Sequence, residues 1–246
     1  AALALRPGRS RIVSDSGNFP TDLYVAQGLA GLLGGGHRLD VVAPEDVEAS
    51  LGEDVAVMML TEVDYRTGRR HDMARLTAAA HAVGALALWD LAHSAGALPV
   101  DLAAVGADFA VGCGYKYLNG GPGAPASAYV APRHAAAFAP ALAGWMGHDA
   151  PFAFDLDYRP AEGIGRMRVG TPSVMAMSAL ETALEVFDGV DMSALFAKAL
   201  SLADLFADAV EATCPDLVRA TPQDPAERGS QISFRTPEGY AVMQAL

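Results

Sequence analysis

The stretch Ala85-Leu86-Ala87-Leu88-Trp89-Asp90-Leu91-Ala92-His93-Ser94-Ala95-Gly96 passes from an apolar run into a carboxylate and then a loop. Ala85–Trp89 has the length of a strand and no polar residue, as in a parallel sheet covered on both faces. Val55–Leu60, upstream, reads the same way. Between them Asp72 caps a helix with Met73, Leu76, Ala80 and Val83 on one stripe. Strand, helix, strand is a βαβ unit, which implies a parallel pair. Working outward, Arg11–Asp15 is a strand that ends in a Ser-Gly-Asn loop. Thr21 or Asp22 caps a helix to about Leu33, where Gly34-Gly35-Gly36 stops it. Leu39–Ala43, Asp108–Val111 and Ser127–Val130 are further strands, and Asp64–Gly68 is a turn. The predicted class is α/β with a mostly parallel sheet.

The last third changes pattern. Pro172–Phe187 and Met192–Ala212 read as helices, the second capped by Asp191, with Leu195, Phe196, Ala199, Leu202, Phe206 and Val210 at helical spacing. Leu217–Ala220 and Gln231–Arg235 are short strand candidates, and Met243–Leu246 reads as the first turns of another helix. These elements place a domain boundary near residue 190. Residues 1–190 then form one domain and 191–246 the start of a smaller α+β domain.

Composition narrows the function. The 246 residues are 52% apolar and 19% charged, which excludes a disordered chain. Twenty-nine acids against 17 bases give −12, a poor balance for nucleic acid or an anionic membrane surface. No apolar run is long enough to span a membrane. The opening Ala1-Ala2-Leu3-Ala4-Leu5-Arg6 lacks the features of a signal peptide, and no Met precedes it. Cys113 and Cys214 are the only two cysteines, too few for a disulfide framework or a four-cysteine zinc site. A reducing, cytoplasmic location is expected, with Cys214 a small buried apolar residue.

Asp90 ends a buried strand, and in an open α/β sheet ligands bind at that edge. A carboxylate there needs a cation or a donor. The next strand leads into Gly112-Cys113-Gly114-Tyr115-Lys116-Tyr117-Leu118-Asn119-Gly120-Gly121-Pro122-Gly123. Lys116 therefore reaches the same edge, in a glycine-rich loop where an ammonium is partly desolvated and can become a nucleophilic amine. Such an Asp and Lys meet the needs of pyridoxal phosphate, and equally those of a structural ion pair. The glycines are neither a dinucleotide fingerprint nor a Walker A loop, since Tyr117 stands where a third glycine belongs.

Trp89–Leu102 and Gly112–Pro125 closely resemble the kynureninase family, pyridoxal-phosphate enzymes of the aspartate-aminotransferase fold type. Further segments in matching order are Asn18–Asp22 (NFPTD), Thr61–Gly68 (TEVDYRTG), Gly144–His148 (GWMGH), Arg168–Pro172 (RVGTP) and Gly229–Phe234 (GSQISF). The related desulfurases carry a histidine directly before the lysine, where this chain has Tyr115. The resemblance implies a three-layer α/β/α sheet, the large domain of fold-type I pyridoxal-phosphate enzymes, and a homodimer. It makes Lys116 the Schiff-base lysine and Asp90 the partner of the pyridinium nitrogen. Phe19 would lie on the ring face, with Asp22 near the ring nitrogen. Thr61 and His93 would bound the cofactor, and Tyr115 would bond its phosphate and relay a proton. Trp145 and Thr171 would add phosphate contacts, reaching in from a neighbouring subunit.

Other readings of single residues stay open: Phe19 as core, Trp145 as a half-packed loop residue, Thr171 as a helix cap before Pro172, and His93 as a satisfied buried histidine. His37, His71, His81 and His134 have no motif around them and read as surface or structural. His148 could sit near substrate.

The implied reaction is hydrolytic cleavage of the Cβ–Cγ bond of L-kynurenine or 3-hydroxykynurenine, giving anthranilate or 3-hydroxyanthranilate and L-alanine, in tryptophan degradation. The alternatives are a desulfurase-like enzyme or β-lyase of the same fold, or a non-catalytic truncated remnant. Family chains extend beyond both ends of this one. Upstream lies a phosphate-binding loop, and downstream an arginine for the substrate carboxylate. Arg159, Arg166, Arg168 and Arg235 stand in no such context. The chain is thus expected to be an internal piece, inactive alone.

Overall fold

The computed structural model describes residues 1–246. Six strands form the main sheet: β1 (Arg11–Asp15), β2 (Arg38–Val42), β3 (Val55–Thr61), β4 (Leu86–Asp90), β5 (Phe109–Cys113) and β6 (Ala126–Val130). Their order is β2-β1-β3-β4-β5-β6. The first five are mutually parallel, and β6 returns antiparallel to β5. All six lie within two residues of the expected bounds.

Helix α1 (Pro20–Leu33) joins β1 to β2, and α2 (Met73–Ala82) joins β3 to β4. The two crossovers leave in opposite directions along the sheet. Right-handed connections then put α1 and α2 on opposite faces, which gives the α/β/α layering. The direction reverses between β1 and β3, and the crevice at that switch opens at the carboxyl ends of the strands.

The core follows the apolar runs. Met73, Leu76 and Ala80 of α2 pack on Met58, Leu60, Ala87 and Trp89. Trp89 is fully buried, and its indole N–H donates to Thr77 Oγ1 at 3.0 Å, so its one polar atom is satisfied. Asp72 caps α2 as expected, accepting from the Arg75 N–H.

Two caps differ from expectation. Helix α1 starts at Pro20, with Phe19 at the cap position and no side-chain cap bond. Proline's fixed φ suits the first helical position, so the helix begins one residue before Thr21. Asp22 therefore sits within the first turn. Helix α3 (Val174–Leu184) starts after Ser173 rather than at Thr171–Pro172, and its last turn tightens to a 3-10 turn over Glu185–Phe187.

Helix α4 (Met192–Thr213) is capped by Asp191 Oδ1, which accepts from the N–H groups of Ser193 and Ala194. Cys214, expected to be buried, is exposed. It follows the last turn of α4, whose buried residues are Ala203 and Ala207. Strands β7 (Val218–Arg219) and β8 (Phe234–Arg235) pair antiparallel and are shorter than expected; α5 (Gly239–Ala245) follows. The chain between β7 and β8 reaches back to the turn after β3. Arg70 N–H donates to Glu227 O at 2.7 Å, and Gly229 N–H donates to Gly68 O at 2.8 Å. No helix is long and apolar enough to cross a membrane.

Candidate active site

Strands β1, β3, β4 and β5 end at Asp15, Thr61, Asp90 and Cys113, along one edge of the sheet. Thr61 and Asp90 are register partners. Asp90 is 6% exposed, and its Oδ1 accepts the Ala92 N–H at 2.9 Å. Burial pushes its carboxyl above the ordinary range. The Ala92 N–H, the Lys116 charge and the Thr61 hydroxyl pull it back.

Lys116 sits on the connection between β5 and the antiparallel β6. That loop is closed at its base: Gly114 N–H donates to Pro125 O at 3.1 Å, and Gly120 N–H donates to Gly114 O at 2.9 Å. A Cβ on Gly114 would lie 2.6 Å from Pro125 O, so only glycine lets the two backbones approach this closely. Asn119 adopts φ 61° to turn the chain back. The Asp90–Gly96 segment touches the same loop, with Gly96 (φ +85°) against the Tyr117 carbonyl. Asp90 and Lys116 are thus set by one packed unit.

Around them stand the other expected residues. The Lys116 ammonium lies 5.7 Å from the Phe19 ring centroid and 5.4 Å from that of Tyr115. Phe19 is 40% exposed, so it is not a core residue. Burial and the Asp90 charge push the Asp22 carboxyl up to about 6, against the opposing pull of Lys116. Burial and Lys116 lower the His93 imidazole to about 4, against the pull of Asp64. His93 is therefore neutral at pH 7 and available as a hydrogen-bond group. Phe19, Asp22, Thr61, Asp90, His93, Tyr115 and Lys116 form one neighbourhood.

Trp145 and Thr171 do not join it by any hydrogen bond, ion pair or ring contact. Trp145 is 42% exposed and packs edge-on against Phe152, with ring centroids 5.7 Å apart. Gly144 lies against the Val169 carbonyl and Gly170 against the Trp145 indole, so the two segments meet each other instead. His148 is buried beside them, accepting the Ala150 N–H on Nδ1 at 2.9 Å. His81 and His134 both bond Asp108 at the opposite end of β5, a structural role. His71 is also structural but closer to the site, 2.5 Å from Asp15 Oδ2 at the end of β1. Among the later arginines, Arg133 pairs with Asp108, and the fully buried Arg228 with Asp204.

Three residues without an expected role support the site. Asn18 is buried. Its Nδ2 donates to Ser14 Oγ at 3.0 Å, and its Oδ1 accepts the Phe19 N–H at 2.7 Å. Tyr65 lies edge-on to Phe19, with centroids 5.0 Å apart. Gln231 Nε2 donates to the Tyr65 carbonyl at 2.9 Å. All three fall inside motif segments legible in the sequence, and that membership was their only signal.

The residues present fit pyridoxal phosphate. Burial disfavours the charged form of Asp90, and a donor such as a protonated ring nitrogen beside it would restore that form. The half-exposed Phe19 offers a ring face beside the lysine amine. Fold and site define a three-layer α/β protein with a lysine and a carboxylate at the carboxyl-end edge of its parallel sheet.

The chain belongs to the aminotransferase class-V family, which matches residues 37–245. It is 54% identical over 248 residues to a kynureninase of Deinococcus radiodurans, covering 100% of this chain and 60% of that protein. It is 50% identical over 243 residues to a kynureninase of Pseudomonas fluorescens, covering 98% of this chain and 58% of that protein. Among solved structures it is similar to a cysteine desulfurase of Thermococcus onnurineus. The TM-score is 0.77 at 20% identity, covering 99% of this chain and 62% of that one. It is also similar to a C-DES variant with glycine covalently linked to its pyridoxal-phosphate cofactor. Here the TM-score is 0.80 at 19% identity, covering 97% and 65%. These two likenesses concern the fold.

Proposed function

We propose that this chain is the central part of a pyridoxal-phosphate hydrolase that cleaves the Cβ–Cγ bond of L-kynurenine, or its 3-hydroxy form, to L-alanine and the corresponding anthranilate. The carrying observation is the buried Asp90 held against the Lys116 loop, in a chain half identical to two kynureninases. When bound, the cofactor supplies an electron sink for charge developed at the substrate α-carbon. Asp90 would pair with the ring nitrogen and keep it protonated. Phe19 would lie on the ring face, and Asp22 adds a second carboxylate beside Asp90. Lys116 would hold the cofactor through its side-chain amine and, once freed, would be the base that takes and returns the substrate α-proton. Tyr115, half-exposed beside Lys116, would bond the phosphate and relay a proton. Thr61 and the neutral His93 complete the walls without adding a cation next to Lys116.

Residues 1–190 belong to the cofactor domain, and α4 with the β7–β8 pair opens a smaller one. The segments that carry Trp145 and Thr171 pack on each other and make no hydrogen bond, ion pair or ring contact with Lys116, which suits phosphate contacts given to the partner of a homodimer. The same view accounts for exposed Phe152, Phe154, Leu156, Val174 and Met175 in and around that region. The protein works in the cytoplasm, in tryptophan degradation. The chain spans 58–60% of the two kynureninases described, and catalysis is a property of the whole protein.

The test uses the full-length protein loaded with cofactor. Anthranilate fluorescence from L-kynurenine is expected, with no matching sulfide release from cysteine. Release of sulfide from cysteine with kynurenine untouched would replace this reading with a desulfurase.

A further inference from the structure

The turn that packs on Phe19 is itself held by the segment between β7 and β8, through a contact between two loops. The turn Asp64–Gly68 closes on itself, Gly68 N–H donating to Asp64 O at 2.8 Å, and presents Tyr65 edge-on to Phe19. The segment between β7 and β8 lies directly on this turn. A Cβ on Gly68 (φ +71°) would come within 2.8 Å of Gln231 Cγ and 2.9 Å of Gln231 O. One on Gly229 would meet Val63 Cγ1 at 2.8 Å. Two glycines thus let the segments approach, and Gln231 Nε2 then donates to the Tyr65 carbonyl at 2.9 Å. Arg66 closes the other side, its guanidinium 5.6 Å from the Tyr65 ring centroid and its Nη2 donating to Ser16 O at 2.6 Å, in the loop that carries Phe19.

We propose that Gln231 and Tyr65 are positioning residues for Phe19. The segment between β7 and β8 then sets the angle of the ring that faces the cofactor. The inference rests on the pyridoxal-phosphate reading of the site. Gln231 touches neither Lys116 nor Asp90, and its effect passes through the Tyr65 backbone and ring. Phe19 is 40% exposed, so neighbours on one side only restrict its rotamer. Removing one of them broadens it.

The test is a double-mutant cycle in the full-length protein, read by pyridoxal-phosphate affinity, with melting of the cofactor-free protein measured beside it. Gln231→Glu keeps the shape and removes the donor. Tyr65→Leu removes the ring edge, and Tyr65→Phe keeps it. Gln231→Glu and Tyr65→Leu are each expected to weaken cofactor binding by about threefold or more. The double variant is expected to be no worse than the weaker single, since contacting residues in one path are not additive. Tyr65→Phe should stay within about twofold of the parent. Losses that multiply in the double variant would overturn the inference. So would single variants that lower the melting temperature and leave affinity unchanged. A parent protein that binds no pyridoxal phosphate would instead sink the underlying reading of the site.

Discussion

Burial pushes both Asp22 and His93 toward their neutral forms, with opposite consequences for pH. The Asp22 carboxyl is raised from 3.8 to about 6. Its neutral form is therefore favoured in the folded state, and stability present below about pH 4 is lost as pH rises through 6. The charged, half-buried carboxylate then costs roughly 2 kcal/mol at pH 8, after allowance for its partial exposure. Asp22→Asn is expected to raise the melting temperature of the cofactor-free protein at pH 8, with the gain gone by about pH 4. A gain that persists at low pH would place the effect elsewhere. His93 runs the other way. Its imidazole is lowered from 6.5 to about 4, so stability present above 6.5 is lost as pH falls through 4. His93→Gln should flatten that acid limb, as followed by thermal melts between pH 4 and 7. Asp22 and His93 could be picked out as candidates in the sequence. Their shifts could not, because they arise from burial and from charges brought together only by folding.

The loop between β5 and β6 is the element on which the site depends most. Its geometry comes from backbone approach, with Gly114 against Pro125 O and Gly120 against Gly114 O. Gly114→Ala would drive a methyl group into a carbonyl, and should cost about 2–3 kcal/mol or force the loop open. The expected result is a lower melting temperature together with weaker cofactor binding. Unchanged binding would mean that the loop tolerates rearrangement. The glycines announced a tight loop in the sequence, although the antiparallel return of β6 did not show in the pattern. Strands β3 to β5 were readable as apolar runs ended by a loop signal, and β1 and β2 as short β-branched segments between loop signals. Helix caps were less so. Thr21 and Asp22 are good capping types, yet Pro20 starts α1 earlier. Thr171 is a good cap too, yet α3 begins after Ser173 without a side-chain bond. Cap chemistry names the candidates, while the path of the incoming chain selects one of them.

The whole molecule explains why one set of expected site residues came together and another did not. Seven lie at one sheet edge because successive parallel strands deliver their ends there. Trp145 and Thr171 lie on the connection between β6 and α3, which packs on itself, and their motif segments alone pointed to the cofactor. If they serve a partner subunit, mixing full-length Lys116→Ala with full-length Trp145→Ala should restore activity. Hybrid dimers would each hold one intact site, giving up to about a quarter of the parent rate. Two inactive variants that stay inactive when mixed under subunit exchange would place Trp145 in its own subunit's site. The role of Gln231 was hidden for a related reason, since 166 residues separate it from Tyr65 in the chain. The central claim is that Lys116, backed by Asp90, carries pyridoxal phosphate. The most direct measurement is borohydride reduction of the full-length protein after cofactor addition, followed by peptide mass mapping. The account predicts a visible absorption band that reduction removes, and a stable pyridoxyl label on Lys116 alone. No label, or a label on another lysine with Lys116 unmodified, would contradict it.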